Sequence, residues 1–285
     1  MKTKACIVGC GFVGSALENC LKESVELLKI DPKLDTNIRD IETFLPEIIF
    51  ICVPTPMKQN GDQDIKILVS VIKEICDLKI TCPIVIKSTV LPNNIERVIK
   101  KSNSIIYNPE FLREKHAEKD LIDAKFHIFG GNTQVCKHVS DFYKNNTITN
   151  GEHIYLDAVA ASFLKFTINS FLSLKVTFFN ELFDLFQKIR SEYSWQEFIE
   201  IIKKDKRIGE SHLNVPGHDN RRGYGGACFP KDSNAFYNFS IEKESELSLL
   251  KKSIDINNKY RSRYNTATNR EIEQNISFKS KKENN

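Results

Sequence analysis

One cysteine stands in an unusual local setting in the last third of the chain. Cys228 lies in GYGGACFPKD (residues 223–232), with three glycines among the five residues before it and Pro-Lys-Asp shortly after it. Glycines let the backbone adopt conformations that a side chain forbids, so a thiol here can be held in a special geometry. Cys228 is therefore either a small buried filler or a thiol that is held available for chemistry.

A glycine-rich loop near the N-terminus has the spacing of a dinucleotide site. CIVGCGFVGSAL supplies Gly9, Gly11 and Gly14 between the first predicted strand and the first predicted helix. In such loops the first glycine makes a tight turn, the second lets a pyrophosphate approach, and the third lets helix and strand pack closely. Asp31 ends the second predicted strand, where an acid binds ribose hydroxyls and repels a 2′-phosphate, so NAD is favoured over NADP. Asp31 precedes Pro32 and can alternatively cap a helix.

Two polar residues interrupt an apolar helical stretch. Lys165 and Asn169 in FLKFTINSF are four residues apart, which places them on one face of a helix. A lysine in such an apolar helix can extend its ammonium group to the surface.

Strands and helices alternate over the first half of the chain. KACIV, VELLKI, EIIFICV, PIVIK, SIIY, KFHIF and HIYL read as buried strands, with helices such as IKILVSVIKEICDL and NTQVCKHVSDFYKNN between some of them. This alternation predicts a doubly wound, mostly parallel sheet covered on both faces, a Rossmann-like α/β domain over residues 1–156.

The character changes near Asp157. More than thirty residues without Gly or Pro predict one long, largely buried helix in a smaller all-α domain over residues 157–264, which also carries the Cys228 loop. The helix is apolar around much of its circumference, which predicts burial in a symmetric homodimer. The polar, Asn- and Lys-rich residues 265–285 predict a disordered tail.

Composition excludes several classes of protein. The net charge of +4 comes from 41 basic and 37 acidic residues in mixed order, which is no signature of nucleic-acid binding. No window approaches the about 18 apolar residues of a membrane span, and the N-terminus runs directly into a strand without a signal peptide. Eight cysteines without regular spacing predict reduced thiols in the cytoplasm and no metal site.

Seven stretches in order resemble the nucleotide-sugar 6-dehydrogenase family. They are GCGFVG, ICVPTP, KSTV, NPEFLRE, FLKFTINSF, FFNEL and GYGGACFPKD. The resemblance, which is greatest to the UDP-glucose branch, implies a four-electron oxidation. The C6 alcohol of a nucleotide sugar becomes a carboxylate with two NAD+, by way of an aldehyde and a thioester on Cys228.

The resemblance also implies roles for individual positions. Lys165 would stabilise oxyanion character at C6, Asn169 would hold a water, and Asp232 would orient that water or cap the helix that begins at SNAF. Thr89 would lie beside the same water, and Glu110 would be the base for thioester hydrolysis. Implied NAD contacts are Gly9, Gly11, Phe12, Val13, Gly14, Asp31, Val53, Pro54, Thr55, Thr89 and Lys231. Implied substrate contacts are Glu110, Phe111, Leu112, Glu114, Lys165, Asn169, Tyr224, Gly225 and Cys228.

The family's usual third domain, which closes over the nucleotide, has no counterpart in the printed sequence. UDP-glucose and GDP-mannose both remain open as substrates. A two-electron enzyme of the 3-hydroxyacid type also combines this fold with a lysine–asparagine helix, and it would not need Cys228. A chain that binds NAD or a nucleotide sugar without turnover is the third alternative.

Overall fold

The computed structural model describes residues 2–278. The contacts divide the chain into two units. The first contains the described residues up to Thr55 together with Asp64–Lys165, and the second contains Pro56–Gln63 with the described residues from Phe166 onward. The first unit therefore extends past residue 156, the predicted boundary, and the short segment after Thr55 groups with the helical unit.

The first unit is built on a seven-stranded sheet, as predicted. The order is β2-β1-β3-β4-β5-β6-β7, and every neighbouring pair is parallel except β5 and β6. The strands are β1 (Thr3–Val8), β2 (Val25–Ile30), β3 (Ile48–Ile51), β4 (Ile84–Ile86), β5 (Ile105–Tyr107), β6 (Phe126–Gly131) and β7 (Glu152–Leu156).

Helices cover the sheet, and the buried strands present apolar side chains to both faces. In β3, Ile49 and Ile51 join one apolar cluster while Ile48 and Phe50 join the other, because successive strand residues point in opposite directions. The helices of this unit are α1 (Phe12–Cys20), α2 (Asp40–Phe44), α3 (Lys66–Asp77), α4 (Pro92–Ile99), α5 (Ala117–Ile122) and α6 (Thr133–Asn146).

The strand order reverses direction at β1, which has β2 on one side and β3 on the other. In open α/β sheets such a switch point at the carboxyl ends of the strands forms the ligand crevice. The glycine loop follows β1 at this edge, Asp31 follows β2, and Val53 follows β3. The fold therefore places the predicted NAD contacts that follow β1, β2 and β3 at the same edge of the sheet.

Helix α7 (Ala158–Phe186) is the predicted long helix, and it passes from the first unit into the second after Lys165. Its inward side is largely polar, with buried Ser162, Lys165, Asn169, Ser170, Ser173, Thr177 and Asn180. By length and composition alone α7 would suffice to cross a membrane, which the sequence did not predict. Several inward polar groups bond to the rest of the chain, for example Ser162 Oγ to the Val90 carbonyl at 2.6 Å, the pattern of a helix packed within a protein.

The second unit is otherwise helical. Its further helices are α8 (Trp195–Ile202), α9 (Phe229–Glu242), α10 (Ser248–Arg261) and α11 (Asn269–Glu273). Helix α11 lies where the sequence predicts a disordered tail, so that prediction differs from the structure over residues 265–278. Thr268 and Glu271 form a reciprocal capping box at its start, and this local signal was missed. Residues 279–285 of the predicted tail lie outside the described residues.

Candidate active site

The glycine loop has the geometry of a phosphate cradle. Gly9 has φ +94°, and a Cβ on Gly14 would lie 2.1 Å from the Gly9 carbonyl oxygen, so turn and helix can pack this closely only without side chains. Gly11 is the residue before α1, and a Cβ there would meet nothing within 4 Å. Open space therefore faces the N-terminus of α1, where Phe12 and Val13 begin the helix and no acidic residue lies in the first turn. These residues fit the pyrophosphate of NAD.

Asp31 lies directly against this loop. Its Oδ2 accepts a hydrogen bond from the Cys10 main-chain N–H at 2.8 Å, and its Oδ1 accepts one from Lys33 N–H at 3.0 Å. The next helix begins only at Asp40, so Asp31 caps a turn and not a helix. Its carboxylate is thereby fixed at the end of β2, the position from which an acid recognises ribose hydroxyls.

Side chains connect the loops that follow β3 and β4. Thr55 Oγ1 donates to the Thr89 carbonyl at 2.9 Å, and Ser88 Oγ donates to the Val53 carbonyl at 2.6 Å. Val53 and Thr55 are buried, whereas Pro54 between them is exposed. The predicted NAD contacts at residues 53–55 and 89 thus lie in two loops that hydrogen bonds join to each other.

Lys165 is buried and paired inside the first unit. Its side chain is 3% exposed, and its Nζ lies 2.5 Å from the Glu110 carbonyl oxygen and 3.4 Å from Glu110 Oε1. Its ammonium group also lies 5.1 Å from the centre of the Phe111 ring. Lys165 therefore does not extend to the surface, which was the alternative left open by the sequence.

Glu110 is held from its other side by the main chain. Its Oε2 accepts a hydrogen bond from Leu112 N–H at 2.6 Å, which closes a tight turn after β5. The structure thus brings Glu110, Phe111, Leu112 and Lys165 together. Glu114 begins a short 3₁₀ turn, Glu114–His116, and its side chain lies outside the described part of the structure.

A second polar cluster lies in the helical unit. Asn169 Nδ2 donates to Asp232 Oδ2 at 2.7 Å, and Lys231 Nζ lies 2.6 Å from Asp232 Oδ1. Asp232 is 1% exposed, so its charge is matched by the ammonium group of its own neighbour. Lys231, which the resemblance places among NAD contacts, is thus the partner of Asp232 within this unit.

Cys228 is the N-cap residue, directly before helix α9. Its carbonyl accepts the first helical hydrogen bond, from Asp232 N–H at 2.9 Å, and Pro230 lies in the first turn. Helix α9 starts before Asp232, which therefore lies inside the first turn and does not cap the helix. Helix N-termini favour thiolates, so the position suits a nucleophilic cysteine. Pro in a first turn is the sequence signal that was missed.

The main chain of the Cys228 loop is held by buried side chains that the sequence did not single out. Gly223 and Gly226 have φ near +75° (+74° and +75°), so both require glycine. The side chain of Tyr224 is buried, and Gly225 packs against Arg261 and Glu271. Asn180, Asn257 and Glu271 bind loop amides, and nothing local in the sequence marks such contacts at long separation.

No metal site accompanies these clusters. Over residues 2–278, no group of three His, Cys, Asp or Glu side chains lies close enough to hold a metal ion.

Sequence models of one family match most of the chain. The model of the UDP-glucose/GDP-mannose dehydrogenase family, NAD binding domain, matches residues 17–147, and the model of the family's central domain matches residues 159–259.

Relatives and solved structures agree with these matches. A UDP-glucose 6-dehydrogenase of Rickettsia felis is 32% identical over 249 residues, which are 85% of this chain and 53% of the relative. The chain thus spans about half the length of that relative. A UDP-glucose dehydrogenase structure from Pyrobaculum islandicum has a TM-score of 0.74 at 23% identity, covering 93% of this chain and 69% of that chain. A 3-hydroxyisobutyrate dehydrogenase of Mycobacterium tuberculosis has the same fold, with a TM-score of 0.69 at 16% identity and coverage of 98% and 97%.

Proposed function

Because the chain belongs to the UDP-glucose/GDP-mannose dehydrogenase family, we propose that it catalyses the NAD-dependent four-electron oxidation of a nucleotide sugar at C6. UDP-glucose is the substrate that we favour, with UDP-glucuronate as product. The observation that carries the proposal is the position of Cys228 as the N-cap of α9, with the buried pair of Lys231 and Asp232 in the first turn of that helix.

The glycine loop and Asp31 would hold NAD+, which would supply the hydride acceptor for each oxidation. In the first, the C6 hydroxyl loses its proton as C6 loses a hydride, which leaves an aldehyde. Asn169 and Asp232 hold and orient the water that takes this proton, through the Asn169 amide and the Asp232 carboxylate. The ammonium group of Lys165, which lies 3.4 Å from Glu110 Oε1, stabilises negative charge that develops on the C6 oxygen.

The second oxidation needs the thiol of Cys228. Its sulfur forms a bond to the aldehyde carbon while its proton passes to the carbonyl oxygen, which gives a thiohemiacetal. This adduct has a C–H and an O–H, so it can lose a second hydride and a proton to become a thioester. An aldehyde that is not captured offers no such hydride until it is hydrated.

Hydrolysis completes the sequence. Water attacks the thioester carbon, the C–S bond breaks, and Cys228 recovers its proton. Glu110 is the base for this step, with Thr89 at the same water, as the resemblance to the family implies, and its carboxylate is buried after β5 at 6% exposure.

The proposal includes a homodimer in the cytoplasm. Phe163, Phe171, Phe178 and Leu185 recur at intervals of seven or eight residues along α7, and each is more than half exposed. A stripe of this kind is buried when two copies of the helix pack about a two-fold axis. The reduced cysteines suit a reducing compartment.

Two-electron chemistry is the second candidate, since the fold is shared with a 3-hydroxyisobutyrate dehydrogenase over nearly the whole of both chains. Cys228 separates the candidates, because a two-electron enzyme has no use for a thiol at the start of α9.

The test is the amount of NADH formed from limiting UDP-glucose by the wild type, by Cys228→Ser and by the control Cys76→Ser in α3. We expect two NADH per sugar from the wild type and the control, and no more than one NADH per sugar, formed at a much lower rate, from Cys228→Ser. One NADH per sugar in all three proteins would establish the two-electron candidate. Two NADH from GDP-mannose but none from UDP-glucose would change the substrate and keep the mechanism.

A further inference from the structure

Side chains from elsewhere in the helical unit hold the loop before Cys228 by hydrogen bonds to its main chain. Asn180 Oδ1 accepts from Gly223 N–H at 3.0 Å, and Asn257 accepts from Tyr224 N–H at 2.6 Å while donating to the Tyr224 carbonyl at 3.0 Å. The last fastening before the cysteine is made by Glu271, whose Oε1 accepts from Gly226 N–H at 3.2 Å. Only Ala227 separates that amide from Cys228.

Glu271 belongs to a buried ion network. Its side chain is fully buried, and its Oε1 lies 2.6 Å from Arg261 Nη2. The other arm of Arg261 lies 2.6 Å from Asp219 Oδ2. Such a network costs desolvation, and the loss of one member leaves another charge buried and unpaired, so the network holds its members in place.

Gly225 explains why the network lies against the loop. A Cβ at this position would be 2.1 Å from Arg261 Nη2 and 2.5 Å from Glu271 Oε1. Its φ is not in the left-handed region, so the backbone itself does not require glycine there. The absence of a side chain makes room for the ion pair, which packs directly on the main chain two to three residues before the thiol.

The segment that carries Glu271 is anchored at several points. Thr268 N–H donates to Glu271 Oε2 at 2.7 Å, and Arg221 Nη1 donates to the Thr266 carbonyl at 2.6 Å. At the other end of α11, the Gln274 carbonyl accepts from Met57 N–H at 3.1 Å. Residues 266–276, which we call the clasp, are therefore built into the helical unit.

We propose that the clasp positions the Cys228 thiol, with Glu271 as the positioning residue that acts through the Gly226 amide and Arg261 as its buried counter-ion. This inference rests on the proposed function in one respect, which is that Cys228 is the nucleophile. A loop released from Glu271 lets Gly226 leave its left-handed conformation and moves the start of α9. The aldehyde then escapes before the thiol captures it.

Three substitutions of Glu271 distinguish the position of its side-chain oxygen from the charge of its side chain. Glu271→Gln keeps an oxygen at the Gly226 amide but removes the charge beside Arg261. Glu271→Asp keeps the charge but withdraws the oxygen by one methylene, and Glu271→Ala removes both. Glu273→Ala, at an exposed position on the same helix, is the matched control.

The first readout is the ratio of NADH to UDP-glucose consumed, with hydroxylamine present to trap released aldehyde. We expect two for the wild type, Glu271→Gln and Glu273→Ala. For Glu271→Asp and Glu271→Ala we expect a ratio close to one, trapped aldehyde, and kcat at least tenfold lower at unchanged KM for NAD. A loss of stability alone would lower the amount of active enzyme and leave the ratio at two.

The second readout is hydrogen exchange of the peptide 223–228, which needs no turnover. We expect at least tenfold faster exchange in Glu271→Asp and Glu271→Ala than in the wild type. Unchanged exchange and a ratio of two in both variants would overturn the clasp. A normal ratio in Glu271→Asp with a lowered one in Glu271→Gln would also overturn it, because charge and not reach would then matter. If the wild type forms no NADH while hydrogen exchange responds as expected, the proposed function and the catalytic role of the clasp are both overturned. The conclusion that Glu271 holds the loop through the Gly226 amide would still stand.

Discussion

Asn169 donates its side-chain amide to Asp232 over 2.7 Å, although the two residues are 63 positions apart and lie on different helices. Both side chains are almost completely buried. Because Lys231 Nζ lies against the second oxygen of Asp232, the carboxylate is held in one orientation. A fixed, paired carboxylate of this kind can orient a water without leaving its place.

Replacement of Asp232 by Asn tests this relationship. The amide is nearly isosteric, but it removes the charge and leaves the Lys231 ammonium group buried without its partner. We expect kcat to fall by about 10²-fold or more, and the free energy of unfolding to fall by about 3 kcal/mol. Enzyme assays and urea unfolding measure both. Asp255→Asn, in a half-exposed i,i+4 pair with Lys251, is the control and should cost about 0.5 kcal/mol or less.

The Lys165–Glu110 pair calls for a double-mutant cycle. Lys165→Met leaves the buried Glu110 carboxylate with the Leu112 amide alone, and Glu110→Gln leaves Lys165 with the main-chain carbonyl. We expect each single variant to be destabilised and the double variant to lose less than their sum, with a coupling of about 1–3 kcal/mol. Urea denaturation gives the four free energies, and strict additivity would show that the 3.4 Å contact contributes nothing.

Asp31 should determine which dinucleotide binds. Asp31→Asn removes the negative charge beside the Cys10 amide while keeping a similar shape. We expect the ratio of Kd for NADP to Kd for NAD to fall at least tenfold, which corresponds to about 1.4 kcal/mol. Calorimetric titration with both dinucleotides measures it, with the exposed Asp35→Asn as control. An unchanged ratio would remove Asp31 from the NAD site.

Buried His127 should make the first unit sensitive to acid. Burial, assisted by the charge of Lys87, lowers the pKa of His127 to about 4 from 6.5. The unfolded chain therefore binds a proton that the folded chain refuses, and stability is lost as pH falls from 6.5 towards 4. Between pH 7 and pH 5 this contributes about 2 kcal/mol.

The measurement is urea unfolding at several pH values in the wild type and in His127→Gln. The variant should lose less stability over this range, and the remaining slope should include a contribution of the same sign from His153, whose pKa burial also lowers. His138→Gln, at an exposed position on α6, is the control. Parallel slopes in wild type and His127→Gln would contradict the prediction.

The apolar stripe on α7 predicts the state of association. Phe171→Glu combined with Phe178→Glu places two charges at exposed positions in the middle of the stripe. We expect sedimentation at micromolar concentration to give a dimer for the wild type and a monomer for the double variant. Leu249→Glu, at an exposed apolar residue of α10, should remain a dimer. A wild-type monomer would contradict the homodimer.

Many elements of this protein can be predicted from residues that are close together in the sequence. Seven apolar runs separated by turns predict the seven strands, and the glycine spacing after β1 predicts a phosphate loop, because each signal involves residues close together in the chain. Cys228 likewise stands out from its neighbours alone. Two further elements also had local signals. The start of α9 has a proline in its first turn, and α11 has a capping box that the polar composition of residues 265–285 concealed.

Contacts at long separation are a different matter. Lys165 could have reached the surface or stayed inside, and only the packing of α7 beside Glu110 buries it. Lys231 and Asp232 are adjacent in sequence, yet their pairing depends on burial by the surrounding helices. Glu271 accepts a hydrogen bond from the Gly226 amide, 45 residues away, and no local sequence pattern near either residue predicts this contact. Periodicity reports which face of an element is apolar, whereas the partner of a buried charge is determined by where the chain returns in space.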